Sequence, residues 1–167
     1  MQTETAIDLW FHEGDPISIH TLTAAAHRIV LDLLASQGKA TMSFGTSYIK
    51  PGFEKEFKRV MRRAETFFKQ AKDNPDEVLQ FNPESTEVYL FTTVCAYQEL
   101  TRSRAAPLLE LFSAYFCLRH PNLMIKPLLP ESEKRPYVQK LLTAPRHEFF
   151  YEFFPLFASA CARRLPR

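Results

Sequence analysis

Proline in this chain is placed as helix punctuation, and that placement constrains the fold more than any other feature. Of 12 prolines, Pro16, Pro51, Pro83 and Pro145 stand at expected helix starts, while Pro75 and Pro121 stand just past expected helix ends. Proline suits the first helical turn, where its missing N–H has no helical acceptor anyway, and disrupts a helix interior. Two of these starts, Asp15-Pro16 and Asn82-Pro83, also carry a capping side chain directly before the proline. Against 12 Pro there are only 4 Gly, too few for a turn-rich β fold or a glycine-rich phosphate loop. The length of 167 residues, 46% hydrophobic and 24% charged, fits one globular domain and excludes a disordered or fibrous chain.

Between the prolines, apolar residues recur at helical spacing. Thr5–His12 reads as a short amphipathic helix, and Gly14-Asp15-Pro16 breaks it and opens the next. Ile19, Leu22, Ala26, Ile29 and Leu33 mark that second helix, which stops before Gly38. Lys39–Lys50 is a polar loop, and Phe53, Phe57, Val60, Met61, Ala64, Phe68 and Ala71 trace the face of another helix. A helix from Pro83 to about Arg102 follows, then one capped by Ser103 and running to Arg119. A proline-bearing connector leads to a short helix near Glu133–Leu142 and a last helix, Arg146–Arg164, which Pro155 should kink. No strand alternation and no internal repeat is seen. The expected fold is all-α: a single bundle of six or seven helices over 1–167, with a flexible basic tail at about 163–167.

No uncharged run reaches the ~18–20 apolar residues that cross a bilayer, and no basic segment precedes the first apolar stretch, so neither a membrane span nor a signal peptide is expected. Cys95, Cys117 and Cys161 are an odd set without a C-x-x-C pair, which points to buried free thiols in a reducing, cytoplasmic setting. The net charge of +2 conceals alternating blocks: residues 76–100 hold five acidic and no basic groups, and 101–167 hold 11 basic and five acidic. Such segregation suits pairing between segments or copies as well as an external polyanion.

His20 and His27 lie on one stripe of the second helix, but ~10.5 Å apart along its axis, too far to share one metal. Each can act separately as a base or hydrogen-bond donor, with Glu84 or Glu87 as carboxylate partner; the bland reading is two histidines bonded to backbone or water. Glu84 and Glu87 otherwise read as helix-start carboxylates facing the macrodipole. No histidine has Glu three residues before it, and H-E-x-x-H, the P-loop and G-x-S-x-G are absent, so no metal or cofactor is expected. Lys55, Lys58, Arg59, Arg62 and Lys69 form a basic stripe able to neutralise phosphates, though Glu54, Glu56 and Glu65 dilute it and a solvated face is the favoured reading. Phe149, Phe150, Phe153, Phe154 and Phe157 make the last helix apolar on nearly every side, which suits either the protein's own core or a homodimer interface.

Residues 6–27, through Trp10, Gly14-Asp15-Pro16 and Ile19-His20-Thr21-Leu22 to His27, resemble the opening of a family of uncharacterised bacterial helical proteins. Phe67–Pro75 with Phe81–Glu87 is similar to its middle segment, close to N-F-F-K-H-A-D-x-D-P. Phe67, Phe68, Lys69 and Pro75 match; Gln70 stands for the family's His and Lys72 for its first Asp, so chemistry resting on those two is lost here. The helical layout is more distantly similar to the HEPN superfamily, compact and often dimeric bundles that often cleave RNA through R-x(4–6)-H. None of the five histidines here completes that motif, so the resemblance implies a non-catalytic relative. The expected function is a non-catalytic binding or regulatory module, most simply a homodimer. An atypical His/carboxylate enzyme and an RNA or DNA binder through the 55–69 stripe are the alternatives, and no small-molecule ligand is named.

Overall fold

A computed structural model describes residues 2–39, 52, 59, 66–67, 81–101, 106–124 and 135–164. The described residues form six α-helices: α1 (Gln2–Phe11), α2 (Pro16–Ser36), α3 (Pro83–Thr101), α4 (Pro107–Arg119), α5 (Pro136–Thr143) and α6 (Arg146–Arg164), with a 3-10 turn at Pro121–Leu123 after α4. No strand occurs among them, and the protein is an all-α bundle. The helix expected from Phe53 to Ala71 lies outside the described residues except at Arg59, Thr66 and Phe67, which are helical.

The proline punctuation is realised in side-chain detail. Asp15 accepts hydrogen bonds from Ser18 N at 2.7 Å and Ser18 Oγ at 2.6 Å, and these hold its carboxyl below the usual range. Asn82 Oδ1 accepts from Glu84 N at 2.9 Å ahead of α3. The α1–α2 turn is tight: Gly14 N reaches Leu9 O at 2.8 Å, and a Cβ on Gly14 would meet that oxygen at 3.2 Å. Glu13 before it takes a left-handed backbone, φ +56°, that few non-glycine residues adopt. At the far end of α2, Gly38 is also left-handed (φ +67°) and Lys39 N closes back on Leu34 O, the usual glycine stop. One start differs from expectation: α4 begins at Pro107, with Ala106 as its cap residue, rather than at Ser103.

α1 is the hub. It packs against α2, α3, α4 and α6, and Ala6, Ile7, Trp10 and Phe11 are buried. The Trp10 ring meets Phe11, Phe112 and Tyr115 edge to face at 5.0, 5.0 and 5.1 Å, and Phe91 stacks on Phe116 at 4.1 Å. Offset and edge-on aromatic pairs of this kind add ~0.5–1.5 kcal/mol each beyond the area they bury. The main core also takes Leu141 and Leu142 from α5 and Phe149 from α6.

α2 and α3 run side by side in the same direction. His20 bonds Thr86 and His27 bonds Thr93, a constant offset of 66 residues, and Lys39 Nζ donates to Glu99 O where both helices end. By length and composition α2 is long and apolar enough to cross a bilayer, a window that tolerates Arg28 and Asp32; 44% of it is buried within the bundle. Arg163 and Arg164, expected to open a mobile tail, are instead the last turn of α6, where Arg164 Nη1 donates to both Glu110 oxygens at 2.8 and 3.1 Å. Pro155 lies inside α6 and leaves the Tyr151 carbonyl without a helical donor.

Candidate functional site

The two histidines singled out by sequence sit in the α2–α3 seam, and both are buried. His20 Nδ1 lies 3.0 Å from Thr86 Oγ1 and His27 Nδ1 lies 3.1 Å from Thr93 Oγ1. The seven-residue spacing of each pair makes this a two-rung ladder, and the Tyr89 ring packs between the rungs, 5.5 Å from His20 and 5.0 Å from His27. The Thr93 hydroxyl already donates to Tyr89 O at 2.8 Å. A hydroxyl has one proton, so His27 must donate from Nδ1. Glu84 and Glu87 stand beside neither imidazole: Glu84 is exposed in the first turn of α3, and Glu87 points to a different histidine.

Glu87 is 5% exposed, and its Oε1 accepts from His120 Nε2 at 2.9 Å. A buried carboxylate costs several kcal/mol unless paired, and His120 is its partner. The imidazole side chain is 28% accessible, at the C-terminal cap of α4, with its ring 4.7 Å from Phe116. His120 thus donates from Nε2, the reverse of His27, which donates from Nδ1.

Two arginines share this end of the bundle. Arg119 Nη1 donates to the Tyr115 hydroxyl at 2.8 Å and to Leu142 O at 3.3 Å. Arg146, first residue of α6, lays its guanidinium 4.5 Å from the Trp10 ring centre, and its backbone N–H reaches Glu13 Oε1 at 3.4 Å. Burial keeps the Arg146 guanidinium below its ordinary value, against the pull of Glu13 and Glu87. Burial raises the Tyr115 hydroxyl, with Arg119 and Arg146 opposing and Glu87 reinforcing, so all four groups lie in one electrostatic neighbourhood. Carboxylate, imidazole, phenol and two guanidiniums converge where α1, α3, α4, α5 and α6 end or begin.

Of the expected basic stripe, Lys55, Lys58, Arg62 and Lys69 lie outside the described residues, and Arg59 is helical and exposed. In the aromatic helix Phe149 belongs to the protein's own core, 2% exposed and 4.8 Å from the Tyr115 ring, which corrects its assignment to an interface. Phe150, Phe153, Phe154 and Phe157 are half-buried against that core. Among the described residues no cluster of three or more His, Cys, Asp or Glu has the arrangement of a metal site. An apolar groove of about 280 Å³ opens between α1, α2 and α3, walled by Ile29, Leu33, Tyr97 and Leu100.

Sequence reading reached Glu87 but missed His120, Arg119, Tyr115 and Arg146. The one available signal was the Arg119-His120 pair at a helix end closed by Pro121, together with an Arg146 that opens the last helix. No family model, curated protein or solved structure matches the chain.

Proposed function

We propose that the protein is a helical binding or regulatory module without catalysis of its own, and that it works as a homodimer paired through α6. The observation behind the pairing is the incomplete cover of that helix. Only Phe149 of α6 is buried; Phe150, Phe153, Phe154 and Phe157 are half-covered, and Tyr151 and Leu156 are each 62% exposed. Phenylalanine is normally among the most buried residues, so four of them left half-covered on one helix argue for a further contact. Interface cores are enriched in aromatics, and a twofold pair would lay this helix against its own copy.

The non-catalytic part rests on the burial of His20 and His27 in threonine bonds, away from Glu84 and Glu87. Three free thiols, Cys95, Cys117 and Cys161, support the cytoplasm as its compartment. Kinship with HEPN-type bundles belongs to the same proposal and draws support from the all-helical architecture alone.

Light scattering at tens of micromolar should return twice the chain mass. Leu156→Glu should return the chain mass with an unchanged helical circular dichroism spectrum. A wild-type protein that stays monomeric removes the pairing.

A further inference from the structure

Arg146 is half-buried, yet among the described residues its guanidinium makes neither a hydrogen bond nor an ion pair; its contact is the Trp10 face. Glu13 and Glu87 act on it electrostatically, and burial still outweighs them. A guanidinium in that condition has five N–H donors in a fixed fork and an unmet demand for negative charge. Arg119 has committed Nη1 to Tyr115 and Leu142, which fixes the plane of its guanidinium and leaves Nε and Nη2 to give. Among the described residues the bond to Glu87 is the imidazole's one hydrogen bond, so Nδ1 of a part-exposed ring is also uncommitted.

We propose that this end of the bundle binds a phosphate-type oxyanion, held by Arg146 and Arg119, with His120 Nδ1 as a third contact and Glu87 as the positioning residue of that imidazole. The fork of arginine matches two phosphate oxygens, and the first turn of α6 adds the positive end of a helix dipole. Glu13 already occupies that turn, but through a 3.4 Å bond to Arg146 N from an exposed side chain, long for a charged acceptor. It stands in for the anion and yields to it.

The charged and titratable groups acting on the two guanidiniums are Glu84 and Glu87 on α3, Tyr115 on α4 and Glu13 after α1; α5 contributes the Leu142 carbonyl. Three carboxylates face two guanidiniums there, so an added oxyanion competes with Glu13 for Arg146.

This site supplies a ligand for the binding-module reading without needing the pairing of copies. A strict monomer that binds phosphate keeps the site and loses the pairing, and a dimer indifferent to phosphate does the reverse. The test is a titration of the full chain with inorganic phosphate at constant ionic strength, followed by NMR on the imidazole C–H signals. We expect one saturable site at His120. Arg146→Gln should weaken it by about tenfold or more, as loss of a charged fork contact does. Glu13→Gln should tighten it, while Arg28→Gln on α2 leaves it unchanged. A linear, unsaturable response, or equal effects of Arg146→Gln and Arg28→Gln, overturns the proposal, as does weaker binding by a folded Glu13→Gln protein.

Discussion

His27 and His120 are both imidazoles bonded across a helix–helix contact, and they are opposites in nearly everything else. His27 is 2% exposed, donates from Nδ1 to a threonine and has an aromatic ring against it. His120 is part-exposed, donates from Nε2 to a buried carboxylate and follows Arg119 at the end of α4. The first arrangement fixes register: a neutral side chain meets a neutral hydroxyl once every seven residues along two parallel helices. The second keeps a proton-accepting nitrogen at the surface beside fixed charge. Burial and partner, rather than residue type, separate a packing histidine from a chemical one.

The comparison can be broken experimentally, and the largest effect should fall in the seam. Tyr89 is 2% exposed and serves both rungs, so Tyr89→Ala should cost about 3–5 kcal/mol in urea or thermal unfolding, the range for large aromatic truncations. A loss no larger than that of an exposed substitution would mean the ladder does not hold α2 to α3. Thr93→Val removes both the acceptor for His27 and the donor to Tyr89 O, and should cost about 1–3 kcal/mol, the range for leaving a buried polar group unpaired. Thr93→Ser keeps the hydroxyl and should retain most of that stability; equal losses in the two variants would count against the tautomer assigned to His27.

At the other end the sensitive variable is alkali. Burial raises the folded-state pKa of Tyr115, so its protonated hydroxyl supports the fold fully below tyrosine's unfolded value of about 10, and that support is lost as pH rises toward the higher folded value. Urea midpoints of the wild type should therefore drop more steeply above about pH 10 than those of Tyr115→Phe, and parallel curves would remove Tyr115 from the cluster. The smallest effect belongs to Glu84, one turn from Glu87 on the same helix but exposed. Glu84→Gln should change stability by less than about 0.5 kcal/mol, as surface substitutions do.

The same contrast governs how much could be read beforehand. Helix starts are local events, so Asp15-Pro16 and Asn82-Pro83 declared themselves in adjacent letters. For α4 the sequence offers two starts, a Ser103 cap and, four residues on, a first-turn proline; the helix begins at the proline. The His20–His27 stripe was visible as a spacing, but the threonines that neutralise it lie 66 residues away. Glu87 and His120 are 33 residues apart on separate helices, and nothing in either segment names the other. Arg164 looked like tail chemistry because its acidic partner, Glu110, sits 54 residues upstream at the start of α4. Periodicity reports which face of a helix is buried, whereas the choice of partner is made by packing.

The parallel course of α2 and α3 has a consequence in time. Two helices that run the same way cannot close as a local hairpin, and residues 37–82 must be made before α3 exists to receive α2. A ribosome adds about 5–20 residues a second, so α2 waits several seconds with its seam, His20 and His27 included, open to water and to other chains. During that interval α1 is its available neighbour among the described helices. Among the described helices the ladder thus closes only once α3 has been made, and variants of Thr93 or Tyr89 should lengthen the period in which the newly made chain is open to chaperones and proteases.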